Sequence, residues 1–202
     1  MTYNITDIKQ SLKKLDSECN WIKTTNYLYT HWKLMKHDSE MTILLIQQMM
    51  IYVLDIDNGC VPELHYNNNS KKTNRVLFLK HLTEAVEYGL NNTKRGKYFL
   101  WQMCYFLKYI PTYYPLLSYV IPSVDAAEQY YHSLIKEAMQ EYPDSILFSL
   151  MDRYKNNEYI APCNSEQIMK TILVEVDDFH LQNNMADLLA KEYIENMYGF
   201  EI

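Results

Sequence analysis

Glycine is scarce in this chain of 202 residues: Gly59, Gly89, Gly96 and Gly199 are the only four. Glycine is the residue that accepts positive φ freely, so phosphate-cradling loops and nucleophile elbows are built on it. No GxGxxG loop, Walker loop or GxSxG elbow occurs here. Cysteine is equally thin. Cys19, Cys60, Cys104 and Cys163 each stand far from the next, which excludes CxxC redox and zinc-ribbon spacing. They are expected to be reduced, mostly buried thiols of a cytoplasmic protein. Residues 1–15 place Asp7 and Lys9 where a secretory leader needs an apolar run, so no signal peptide is expected. The longest apolar stretch, Met41–Leu54, is broken by Thr42, Gln47 and Gln48. At that length it falls short of a bilayer span and predicts a buried helix, with no membrane partner.

What is present is a globular composition, 48% hydrophobic and 22% charged. Helical periodicity recurs along almost the whole chain, and no clear period-two alternation appears. Ile5, Ile8, Leu12 and Leu15 form one stripe. Trp21, Thr25, Leu28, Trp32 and Met35 form a second, with Asn20 as its N-cap. Asp38 or Ser39 caps the apolar helix at 41–54. Residues 55–74, with the asparagine run Asn67–Asn69, predict a long polar loop. Val76, Leu79, Thr83, Val86 and Leu90 mark the next stripe, widened by Phe78, Leu82 and Ala85. Lys97–Ile110 is dense in rings and is expected to be covered on two sides.

Pro111, Pro115 and Pro122 then punctuate the chain. Further stripes follow at Ala127, Tyr131, Leu134, Ala138 and at Ile146, Leu147, Leu150, Met151, Tyr154, the latter helix opening at Pro143-Asp144. Two more run through Ile168–Phe179, capped by Asn164-Ser165, and through Leu181–Met197. The expected fold is all-α: roughly nine or ten helices in a single domain over residues 1–202, either a multi-helix bundle or a short irregular HEAT-like array of antiparallel pairs. No tetratricopeptide period is found among the seven alanines and four glycines.

Charge is unevenly distributed. Residues 1–122 hold 14 Lys/Arg against 10 Asp/Glu, a balance of +4, and residues 123–202 hold 5 against 15, a balance of −10. The acidic half argues against nucleic acid, which wants a basic face. The basic half is mostly lysine, with only Arg75 and Arg95, and lacks the fork that suits phosphate. The partner that fits an acidic helical half is a basic protein.

Individual candidate sites resolve into ordinary structure. Asp55, Asp57, Asn58, Gly59 and Glu63 resemble a calcium loop, but Gly and Glu stand at positions five and nine instead of six and twelve, so a turn is expected. His31 and His37 are six apart, which no single helical face presents together. His81 and Glu84 are three apart, but a di-iron bundle needs two such pairs, so a surface pair is expected. Glu175, Asp177, Asp178 and His180 crowd a helix junction, where Asp177-Asp178 reads as an N-cap. No metal, cofactor or catalytic group is expected. Of the nineteen tyrosines, Tyr113, Tyr114 and Tyr119 are the ones expected to be exposed.

In general character over its whole length, a small, acidic, all-helical chain of this kind resembles the bacterial immunity proteins that block contact-dependent or secreted toxins. That resemblance implies a protein-binding module that neutralises a basic toxin domain, such as a nuclease, by direct binding. Acidic residues of the C-terminal helices, namely Glu175, Asp177, Asp178, Asp187 and Glu195, would steer the partner, and aromatic anchors would slow its release. A helical scaffold or adaptor, and a metal- or cofactor-binding helical enzyme, are the alternative expectations.

Overall fold

The computed structural model describes residues 4–18, 20–57, 68–91, 94–108, 115–155, 171 and 174–175. Among these the chain is all-α. Seven helices of ten residues or more are α1 (Ile5–Ser17), α2 (Trp21–Leu34), α3 (Ser39–Asp57), α4 (Asn68–Asn91), α5 (Lys97–Lys108), α6 (Val124–Glu141) and α7 (Ile146–Lys155). They fall into two compact units, a first that includes Met1–Arg95 and a second, Gly96–Gln182.

The first unit is built around α3, which packs chiefly on α4 and also on α2; α1 packs on α2, and α2 touches α4. The helix starts where its sequence says it should. The Asp38 carboxylate accepts the backbone N–H groups of Glu40 (2.9 Å) and Met41 (3.1 Å), satisfying donors that have no partner inside the helix. Every residue from Met41 to Val53 is buried, so α3 has no solvent face over that stretch. Each large apolar side chain enclosed this way contributes about 1.5–3 kcal/mol of transfer free energy. The helix is nineteen residues long, more than the fourteen expected, and by length and composition it is the one helix among the described residues that could cross a membrane. In this fold it is a core helix.

Around it the predicted stripes turn inward. Ile8, Leu12 and Leu15 of α1 are buried, as are Trp21, Thr25, Leu28, Trp32 and Met35 on and just beyond α2. Asn20 caps α2 by accepting the Lys23 N–H at 3.1 Å. Trp21 stacks on Tyr52 of α3 with centroids 4.7 Å apart, and Trp32 donates its indole N–H to Thr42 at 3.0 Å.

Two expectations are corrected here. Helix replaces part of the loop expected over 55–74: α3 continues to Asp57 and α4 already begins at Asn68. Asp55 and Asp57 are therefore helical and do not belong to a turn. A carboxylate in the last turn of a helix opposes the macrodipole, and Asp57 is compensated by a two-pronged bond from Arg75 of α4, at 2.6 and 2.8 Å. The rest of the calcium-like segment, from Asn58 to Glu63, lies outside the described residues. The second correction concerns Val76, expected in the core stripe of α4 but 62% exposed. The buried strip is Phe78, Leu79, Leu82, Ala85, Val86 and Leu90, and Val76 falls to one side of it.

In the second unit α5 packs on α6, and α6 on α7. Residues Tyr98 to Leu107 of α5 are all buried, in line with the expectation that it is covered on more than one side. Cys104 is among them; the other three cysteines lie outside the described residues. Gln102 is fully buried and its amide nitrogen and oxygen both lack a hydrogen-bond partner. Ser123 caps α6 by accepting the Ala126 N–H at 3.1 Å, and Ala127, Tyr131, Leu134, Ile135 and Ala138 face inward. Tyr131 donates its hydroxyl to the Met151 carbonyl at 2.9 Å, tying α6 to α7. Among the described side chains of α7, Leu147, Phe148 and Met151 are buried; Phe148 is not among the expected core positions. The helices expected over 168–179 and 181–197 lie outside the described residues, apart from helical positions at 171, 174 and 175.

Candidate functional site

Glu175 was expected on a partner-facing acidic surface. Instead it is 7% exposed, and its carboxylate closes the N-terminus of α7. The Ser145 hydroxyl donates to its Oε1, and the backbone N–H groups of Ile146 and Leu147 donate to its Oε2 at 3.0 and 3.3 Å. Lys97, from the first position of α5, places its ammonium 2.8 Å from Oε1. Ser145 in turn accepts the Phe148 N–H at 3.3 Å. The expected opening of this helix at Pro143-Asp144 is thus one residue early: the cap is Ser145, with a remote carboxylate behind it. A buried anion at a helix N-terminus meets unsatisfied donors and the positive end of the macrodipole. All of Glu175's acceptor capacity is used inside the unit. It is withdrawn from the partner-steering set for that reason. Asp177, Asp178, Asp187 and Glu195, together with His180, lie outside the described residues.

Within residues 123–202, the described acids that face solvent are on and after α6. Asp125, Glu128 and Glu141 are exposed on the helix, Asp144 is exposed in the turn beyond it, and none has an ion-pair partner among the described residues. By helical spacing Asp125 and Glu128 share one flank and Tyr130 and Glu141 the other, with the core stripe between them. Aromatic and aliphatic groups accompany them: Tyr119 is 61% exposed, Val124 44% and Tyr130 37%. Tyr119 is one of the three tyrosines expected at the surface, and Tyr113 and Tyr114 lie outside the described residues. Charge and exposed rings together are what a docking face for a basic protein requires.

The first unit holds a second polar cluster, where α2 meets α4. His81 and Glu84 do not act as a metal pair. Glu84 turns to α2, accepting the Tyr29 hydroxyl at 2.6 Å on Oε2 and the Lys33 ammonium on Oε1, with Lys36 at 3.8 Å. Burial pushes the Glu84 carboxyl up, but the bonds from Lys33 and Tyr29 outweigh it and hold it below the ordinary range. The same Glu84 bond raises Lys33 to about 12. Burial raises the Tyr29 hydroxyl, and its bond to Glu84 adds to that.

His81 is buried, stacks on the Tyr29 ring at 3.7 Å between centroids, and has no partner for Nδ1. Burial favours the neutral imidazole and lowers its pKa, with Glu84 opposing and Lys80 and Lys33 reinforcing. So one member of the expected surface pair is in the core and the other is tied to a different helix. Among the described residues no group of three His, Cys, Asp or Glu side chains is arranged to hold a metal ion.

Sequence reasoning missed both the Lys97–Glu175–Ser145 bond set and the aromatic–lysine surroundings of Glu84. Periodicity marks Tyr29, Trp32, Lys33 and Lys36 as one stripe of α2 and its end, and His81, Glu84 and Tyr88 as one stripe of α4. It carries no signal that the two stripes face each other. No family model, curated protein or solved structure matches the chain.

Proposed function

We propose that this chain is a protein-binding module whose acidic half docks a basic protein, in the manner of an immunity protein that neutralises a cognate toxin by covering it. The observation that carries the reading is the set of exposed carboxylates Asp125, Glu128, Glu141 and Asp144, without an ion-pair partner among the described residues, on the same unit as the exposed rings of Tyr119 and Tyr130. Exposed carboxylates of one sign project a field that speeds encounter with a cationic surface, and exposed aromatics then supply contact area that slows separation. The sequence balance of −10 over residues 123–202 adds long-range reach to that field.

The test is an affinity capture of the tagged chain from its native host, followed by purification of the captured basic protein and a growth assay of that protein with and without this chain. Under the proposal the partner is toxic alone and harmless with the chain. Reversing Asp125, Glu128, Glu141 and Asp144 to lysine should slow association by about tenfold or more at low salt and flatten its salt dependence. A partner bound equally fast by the reversed variant would sink the proposal.

A further inference from the structure

His81 of α4 is 6% exposed, and its Nδ1 has no hydrogen-bond partner. Its ring stacks on Tyr29 of α2, and Glu84 stands one turn further along α4. That carboxylate is already engaged from α2. It accepts the Tyr29 hydroxyl on one oxygen and the Lys33 ammonium on the other, with Lys36 at 3.8 Å. Lys33 also lies over the Tyr29 ring, 5.0 Å from its centroid. A neutral imidazole can leave one nitrogen without a partner. An imidazolium carries N–H on both nitrogens, and a buried cation needs a counter-charge.

The titratable groups facing His81 are few. From α2 come the Tyr29 phenol, Lys33 and, through Glu84, Lys36; from α4 come Lys80 and Glu84. The buried stretch Met41–Val53 of α3 has no charged side chain. Glu84 is thus the one carboxylate among these groups. A proton on His81 sets a third cation beside it, and Lys33 and Lys80 both repel a charge on the ring. Lys33 can leave at small cost, because its side chain is 41% exposed and water replaces its ion pair. The buried imidazolium has no such exit.

We propose that His81 and Lys33 are alternative cations for Glu84: a proton taken from solvent by His81 draws the carboxylate to Nδ1 and sends Lys33 into water. Lys33–Glu84 and Lys36–Glu84 are the ion pairs between α2 and α4 among the described residues. The exchange therefore unfastens that tie as the pH falls through the histidine range and restores it as the pH rises. Burial lowers His81, so the change lies below the ordinary 6.5. It requires a proton and no opening for a ligand. No residue of 119–144 takes part, so the inference stands apart from the acidic docking face.

The experiment uses the full chain with ¹⁵N-labelled histidine, whose ring signals follow His81 from about pH 8 to about pH 4.5; His81→Phe identifies the signal. In parallel, trace acetylation read by mass spectrometry gives the reactivity of Lys33 relative to Lys13, an exposed lysine of α1. Release from Glu84 lowers Lys33 from about 12 towards the ordinary 10.5, so the ratio should rise about threefold or more as His81 takes its proton. In His81→Phe the ratio should stay level. Two surface variants test the exchange even where that ring change disturbs packing. In the resting fold Lys80 repels His81 more strongly than Lys33 does. Repulsion alone therefore makes Lys80→Ala raise the His81 midpoint more. The exchange makes Lys33→Ala raise it more, because that change also frees Glu84. A level Lys33 ratio through the His81 titration, a larger effect of Lys80→Ala, or a ring still neutral at about pH 4.5 overturns the proposal.

Discussion

Replacing Glu175 by alanine should destabilise the second unit by about 2–4 kcal/mol. Loss of a helix cap costs about 0.5–2 kcal/mol. Breaking a buried ion pair from one side costs about 3–5 kcal/mol when the remaining charge stays buried. Lys97 has a side chain 26% exposed, so it recovers part of its hydration and the second figure must be discounted. The Ile146 and Leu147 N–H groups and the Ser145 hydroxyl, at a buried helix start, lose their acceptor altogether.

Glu175→Gln keeps an acceptor for the N–H groups and should cost about half as much. Because the chain forms two units, a single unfolding curve for the whole protein is the wrong measurement. Trp101 is the one tryptophan of the second unit, with Trp21 and Trp32 in the first. Urea unfolding followed by ¹⁹F-labelled tryptophan therefore resolves the two units. A Glu175→Ala variant whose Trp101 transition moves by less than about 0.5 kcal/mol would refute the claim that this carboxylate holds α7 in place.

Two further changes are informative. Gln102→Met replaces a buried amide without partners by an apolar side chain of similar length, and should stabilise the second unit by about 1–2 kcal/mol; a loss of stability would show that the amide is satisfied by internal water. His81 has its folded pKa below the ordinary 6.5, so the unfolded chain binds more protons in the interval between the two values. Stability of the first unit should therefore fall as pH drops below about 6.5 and level off once the folded pKa is passed. His81→Phe keeps a ring against Tyr29 and should flatten that dependence, as read from Trp21 and Trp32 between pH 7.5 and 5; parallel curves for the two proteins would contradict the assignment.

Local signals were legible in the sequence, and remote ones were not. The Trp21–Met35 stripe, the Asn20 and Asp38 caps and the enclosed helices α3 and α5 follow from spacing, because burial of one face is a property of consecutive residues. Glu175 shows where that ends. It reads as a surface acid, since nothing nearby in sequence pairs with it, yet its partners are Ser145, thirty residues upstream, and Lys97 at the start of another helix. Glu84 is similar: its local neighbour His81 suggests a pair, but Lys33, fifty-one residues away, takes the carboxylate. The polar residues at 68–73 carry no apolar stripe and so predict a loop, although α4 already begins at Asn68.

The burial of α3 from Met41 to Val53 has a consequence for synthesis. A helix with no polar face is a hazard until something covers it, and its main cover is α4. The last residue of α4, Asn91, is made 34 residues after Asp57, which closes α3. At about 5–20 residues per second the nascent chain carries that bare apolar rod for roughly 2–7 s before its cover has been made. The stretch at the centre of the finished unit is thus also an exposure to misassembly while the chain is being made, and gives a ribosome-associated chaperone something to shield.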